Sequence, residues 1–209
     1  MSPPGPRSRS ALTLFSHLDC PRSHAVRLVL AIKGLPHDLV YVDPKDPPSD
    51  LVAAVPSLSL PTLMERDVVL YEARIVAEYL DERFPHPPLL PNDPLGRARA
   101  RLTAFRVEHD WFSLLGTARR RDTPEVEEAR NQLRAEMLEA EPMFRLAKYF
   151  LSAEIALADC LILPLLWRLP SVGIRVQSIG PNIEAYAKRL FQTPLFQRTL
   201  SDPERALAA

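Results

Sequence analysis

The chain has 209 residues, 46% of them hydrophobic and 25% charged, a length that supports one compact protein of one or two domains with a substantial core. The 26 Lys and Arg cancel the 26 Asp and Glu, so no basic excess is present to drive phosphate-backbone binding. The two cysteines, Cys20 and Cys160, are too few for a disulfide framework, and no stretch approaches the roughly 20 apolar residues of a membrane span.

Residues 1–10, MSPPGPRSRS, lack the apolar run of a signal peptide and read as a disordered tail, so a cytoplasmic protein is expected. No direct nucleic-acid contact, no membrane contact and no metal site are expected. Residues 11–84 read as an α/β domain. Leu12-Thr13-Leu14-Phe15 predicts a strand, and Ser16 to Cys20 a loop. Pro21 opens a helix with Ala25, Leu28, Val29 and Ile32 on one face, and Gly34 stops it. His37 to Val42 predicts a second strand, which makes a parallel βαβ unit. Asp43 to Ser49 is a proline-rich loop, and Asp50 is placed to cap a short helix ending near Val55.

Ser59 to Leu63 and Val68 to Arg74 flank the polar tripeptide Glu65-Arg66-Asp67, the pattern of a β-hairpin. A helix to Arg83 follows at once. Residues 85–94 form a linker with Pro85, Pro87, Pro88, Pro91 and Pro94, which no helix or central strand can cross. Residues 95–209 read as all-helical. Asp93-Pro94 and Thr123-Pro124 are cap-and-proline starts. Leu95, Ala98, Leu102, Phe105, Phe112 and Leu115 recur at helical spacing, a second helix runs to about Ala140, and Ala156 to Leu169 is nearly all apolar, as a central buried helix is. Asn182–Phe191 and Pro194–Leu200 complete the series.

Cys20 falls at the N-cap of its helix with Pro21 at N1. A thiol there meets unpaired amides and the positive end of the helix dipole, and Arg22, His24 and Arg27 add positive charge nearby. Cys20 is therefore a candidate nucleophile. Glu72 is a carboxylate at a helix start. Asp159 enters an apolar helix, where a lone carboxylate is costly to bury unless paired or hydrogen-bonded, and reads as structural. Cys160 reads as buried and inert, and Pro164 as a kink or a fresh helix start.

The run Leu-Pro-Thr-Leu, hairpin, then Glu-x-Arg-Ile resembles the glutathione transferase thioredoxin-like domain. The resemblance implies an α/β thioredoxin-like N-terminal domain followed by an all-α C-terminal domain, the glutathione transferase fold. It implies a cis bond at Pro61 and a glutathione-like pocket formed by Leu60, Pro61, Glu72 and Ala73. Ala73 departs from that family's pattern, because a serine there supplies a hydroxyl to the γ-glutamyl carboxylate. Cys20-Pro21 with Arg27 is similar to omega-type transferases, in which that cysteine forms mixed disulfides. Ser16 is the rival for the transferase hydroxyl position.

Asp81-Glu82-Arg83-Phe84-Pro85-His86-Pro87-Pro88-Leu89 resembles the stringent starvation protein A family. Val26-Arg27-Leu28-Val29-Leu30, Glu108-His109-Asp110-Trp111 and Leu165-Leu166-Trp167-Arg168-Leu169 extend that likeness to nearly the whole chain. It implies a homodimer that binds RNA polymerase holoenzyme through Pro85, His86 and Pro87, with no cofactor required, and Phe84 beside them offers that partner an aromatic anchor. A glutathione-dependent transferase or thiol reductase acting through Cys20, with glutathione bound, stays open beside it.

Overall fold

The computed structural model describes residues 12–121 and 123–207, so the tail at 1–10 lies outside the described residues. β1 (Leu12–His17), α1 (Pro21–Lys33) and β2 (Asp38–Val42) form the expected parallel unit. α2 (Ser49–Ala54) precedes a hairpin of β3 (Thr62–Glu65) and β4 (Val68–Tyr71), and α3 (Ala73–Arg83) follows. The sheet order is β2-β1-β3-β4, with β3 antiparallel to both β1 and β4. Gly34 ends α1 at φ +62, where Leu35 N–H returns to the Leu30 carbonyl at 3.1 Å, a left-handed cap suited to glycine.

Several local expectations shift. Ser16 and His17 belong to β1, because β2 pairs with them through Tyr41 and Val42. Pro48 takes the N-cap of α2 and Asp50 lies inside its first turn. The hairpin turns on Arg66, at φ +52, while Glu65 stays in β3 opposite Val68. Its carboxylate is buried and accepts the Tyr79 hydroxyl at 2.5 Å.

Residues 84–93 form neither helix nor strand. The helical region begins with α4 (Pro94–Arg106), capped by Asp93, whose Oδ1 accepts from Gly96 N–H at 2.7 Å. The long helix expected across Leu95–Leu115 is interrupted by a π-helical segment, Val107–Trp111, before α5 (Phe112–Ala118). Its inward face also differs. Ala104, Val107, Trp111, Phe112 and Leu115 are buried, whereas Leu95, Leu102 and Phe105 are exposed.

α6 (Pro124–Ala140) starts on the Thr123 cap and runs into a 3₁₀ turn, Glu141–Arg145. α7 (Leu157–Arg168) is almost wholly buried and continues through Pro164, held by packing on α1, α4 and α8 (Pro181–Phe191). α9 (Pro194–Gln197) and α10 (Asp202–Ala206) follow. No strand occurs after residue 95 among the described residues. No described helix is long and apolar enough to cross a membrane. One continuous core joins the sheet face carrying Leu14 and Leu63 to α1, α3 and α7, and a small second cluster of Phe15, Val42, Leu51 and Val55 fills the space under α2.

Candidate functional site

Cys20 is the N-cap of α1, in extended backbone (φ −124, ψ 124), half-buried and unbridged. With His17, Asp19, Pro21, Pro44, Leu58 and Leu60 it lines a shallow depression of about 300 Å³. The Leu60–Pro61 bond is cis. Ser59 Oγ lies 3.4 Å from Glu72 Oε1, which ties this loop to the start of α3. Glu72 stands there at φ +67 with its carboxylate exposed, a conformation L-residues take rarely. Ala73 is buried, its methyl in the main core. Cys20 and Leu60 thus share that depression, while Pro61 and Glu72 flank β3 and β4 at the same end of the sheet, with no side-chain hydroxyl at position 73.

Ser16 does not converge with them. It is fully buried, its oxygen accepts from Arg27 Nη1 at 2.5 Å and its hydroxyl points to the His17 carbonyl at 3.3 Å. That leaves it no route to a ligand thiolate. The positive charge expected around Cys20 is also spent elsewhere. Arg27 grips Glu204 with Nη2 at 2.6 and 2.5 Å and the Thr199 carbonyl with Nε at 2.8 Å. Arg22 stacks over Phe112 and donates to the Glu108 carbonyl at 3.3 Å. His24 is fully buried, and burial first, then Arg27 and Arg168, pushes its pKa well below 6.5, so it carries no charge near neutral pH.

The cation beside Cys20 is instead Arg168, at the end of α7. Its guanidinium is fully buried, bonds to Asp19 Oδ1 at 3.2 Å, to the Pro164 carbonyl at 2.9 Å, and to Glu204. Burial pushes the Arg168 pKa down, and Glu204, Asp19 and Cys20 push it back. Asp19 also pairs with Arg119. Glu204 completes a capping box with Ser201, and its carbonyl accepts the Trp167 indole N–H at 2.8 Å. An arginine at the end of a helix as buried as α7 is the signal that a buried carboxylate must meet it.

The proline loop is built differently. Pro85, His86, Pro87 and Pro88 are exposed, and the His86–Pro87 bond is cis. Phe84 leans on the core, with the Arg83 guanidinium over its ring at 5.3 Å. Beneath the loop, Lys33 has a fully buried side chain whose ammonium reaches Asp81 Oδ1 at 2.6 Å and the carbonyls of Phe84 and Pro87 at 2.7 Å each. An ammonium has three protons to donate, and all three are used. Asp81 Oδ1 in turn accepts Leu89 N–H at 2.8 Å. Both ends of the loop are therefore fixed to α1 and α3 while its proline face stays outward.

Asp159 and Cys160 are structural. Asp159 accepts from Phe150 N–H (2.9 Å), Ala156 N–H (2.8 Å) and the Tyr186 hydroxyl (2.5 Å), so half a capping box is present and Ala156 returns nothing. Burial drives the Cys160 thiol pKa well up, which leaves it unreactive.

Comparison with known proteins extends these observations. The family described as "Glutathione S-transferase, N-terminal domain" matches residues 19–83, and "Glutathione S-transferase, C-terminal domain" matches residues 102–194. The chain is 42% identical over 194 residues to a protein named "Stringent starvation protein A homolog" from Haemophilus ducreyi, covering 92% of this chain and 91% of that one. It is 44% identical over 193 residues to the Pasteurella multocida protein of the same name, with the same coverage of 92% and 91%. Among solved structures, glutathione transferase Omega 3C from Trametes versicolor superposes with a TM-score of 0.84 at 25% identity, over 94% of this chain and 91% of that one.

Proposed function

This chain belongs to the stringent starvation protein A family, and from that premise we propose that it regulates transcription under stress by docking on RNA polymerase holoenzyme, making and breaking no bond. The observation that carries the reading is the loop at residues 84–88. Its prolines fix φ, and Lys33 anchors its carbonyls, so docking costs little conformational entropy. His86 offers the partner a hydrogen-bonding ring from an exposed position.

The acting form is a homodimer. Val68, Tyr71 and Ile75 on the hairpin and α3, and Leu95, Leu102 and Phe105 on α4, are large apolar side chains left in solvent. Two such stripes suit a two-fold contact in which each covers the other.

The test is the triple variant Pro85→Ala/His86→Ala/Pro87→Ala. It is expected to unfold at nearly the native temperature and to dimerise, yet to lose polymerase in a pull-down. Polymerase retained by a well-folded variant overturns the role of this surface.

A second reading is a glutathione-dependent thiol transferase. What favours it is the free, half-buried Cys20 at a helix N-terminus beside the Leu60–Pro61 turn. Retention on glutathione–agarose, with turnover lost in Cys20→Ala, would establish it in place of docking.

A further inference from the structure

The sheet ends in two edge strands. β4 is one, in the hairpin that carries Val68 and Tyr71 of the dimer stripe, and β2 is the other. β2 pairs with β1 alone, and among the described residues no backbone hydrogen bond reaches it from outside the sheet. Every second residue of such an edge turns its N–H and C=O to solvent, a template on which an extended chain adds as a further strand. Idle edges are commonly blunted by lysine or proline on the strand. β2 has neither between Asp38 and Val42, and its Leu39 and Tyr41 are 38% and 39% exposed. Pro36 and Pro44 stand just beyond its two ends, so the open stretch suits a short segment.

Side chains alternate along a strand. Val40 and Val42 turn to the cluster under α2, and Leu39 and Tyr41 therefore lie on the α1 face, where the Arg27 guanidinium sits 5.6 Å over the Tyr41 ring. On that face Leu39 lines a cavity of about 380 Å³ walled by Leu30, Ala31, Leu35 and Pro36. Arg198 lines it too, and its head group is placed by a bond from Nη2 to the Ala31 carbonyl at 2.6 Å. A guanidinium has five donors, so most of Arg198 stays available to a carboxylate. Arg27, the other arginine on the lining, is already spent on Glu204 and Thr199. No described Asp or Glu lines the cavity.

We infer that β2 takes a short acidic, extended segment of a partner protein as a fifth strand, with an apolar side chain opposite Leu39 in the cavity and a carboxylate two residues along on Arg198. The edge itself selects the occupant. Its outward N–H and C=O groups are met by another extended chain and not by a helix, whose backbone bonds are closed within itself. Residues directly opposite share a face, as do residues two apart, so the recognised pattern is acid, any residue, apolar. Because β2 and the dimer stripe occupy opposite ends of the sheet, the edge stays open in the dimer. The inference rests on neither the polymerase nor the glutathione reading.

The test is equilibrium titration of the full chain with an acetylated, amidated hexapeptide, Thr-Glu-Thr-Leu-Thr-Thr, with hydrogen–deuterium exchange on the complex. Saturable binding is expected, with new protection of amides in β2. The same peptide N-methylated at alternate residues keeps its side chains and loses edge donors, and should not bind in either register of methylation. Glutamine for glutamate in the peptide, and Arg198→Gln in the protein, should each weaken binding by up to about fivefold, as an exposed ion pair gives. The two changes together should cost no more than either alone. Leu39→Lys, which puts a charge on the edge, should abolish binding. No binding of the parent peptide, equal binding of its N-methylated forms, or protection that misses β2 overturns the inference. So does protection of β2 that appears without peptide as the native chain self-associates, which would give the edge to a second copy. The N-methylated peptides on the native chain decide without any variant having to fold.

Discussion

His24 has both ring nitrogens fixed by their neighbours. Thr199 spends its hydroxyl proton on the Phe196 carbonyl at 2.6 Å, so at 2.9 Å it accepts from His24 Nε2. Arg168 can only donate, so His24 Nδ1, 3.3 Å from Nη1, is the acceptor. No place remains for a second proton. With its folded pKa lowered well below 6.5, the unfolded chain protonates first as the pH falls. Stability contributed by this residue is thus complete above 6.5 and lost as the pH drops from there towards the folded pKa. Thermal unfolding across that window should show a falling midpoint with acid, and His24→Gln should flatten the slope; an unchanged slope contradicts the assignment. Ala73 makes a second single-residue prediction. In the transferase pattern a serine at this position supplies a hydrogen bond to a charged group, worth about 1.5–3 kcal/mol, and this chain has no hydroxyl there. The native chain should turn over a standard electrophile far below the roughly 10 s⁻¹ typical of enzymes. Ala73→Ser puts a hydroxyl where the structure buries a methyl, so glutathione binding should stay unchanged by equilibrium titration, and a gain of roughly ten- to a hundredfold would show that position 73 turns to that ligand.

At the scale of the element, the proline loop depends on a clamp that its own residues do not announce. Lys33→Met keeps the bulk of the side chain but leaves Asp81 buried without its cation. Removing one partner of a buried pair costs about 3–5 kcal/mol. The variant should unfold correspondingly earlier by denaturant titration and, where still folded, bind polymerase more weakly, because the Phe84 and Pro87 carbonyls are released. Full binding by folded Lys33→Met would show that the loop needs no anchor. The loop was legible from its prolines and the clamp was not, since Lys33 looks like any basic residue ending a helix. The same contrast runs through the fold. Gly34, Asp93, Thr123 and the alternation in β1 announce local structure, because caps and strands are short-range chemistry. Ser201-Asp202-Pro203-Glu204 is an equally plain capping box, and its short helix was readable. The π-helical segment was not, because the apolar spacing from Leu102 to Phe112 fits an unbroken helix; Leu102 and Phe105 then look inward on paper and lie outward in the structure.

For the whole molecule, the exposed apolar stripes predict association. Sedimentation at micromolar concentration should give twice the 23.6 kDa of the single chain, and Ile75→Asp, at a position of α3 that is 51% exposed, should return it to a monomer without unfolding it. A native chain that stays at 23.6 kDa would remove the dimer. The two halves are also locked together internally. Glu204 is fully buried between Arg27 of α1 and Arg168 of α7. That arrangement bears on how the protein is made. A ribosome delivers the chain from its N-terminus, and Glu204 emerges 177 residues after Arg27. Through that interval the nascent α/β half has its strands and helices, yet its guanidinium lacks the carboxylate that offsets burial. Until then Arg27 has Ser16 Oγ and the His17 carbonyl as partners within its own half, and the lock between the halves closes only when α10 supplies its carboxylate.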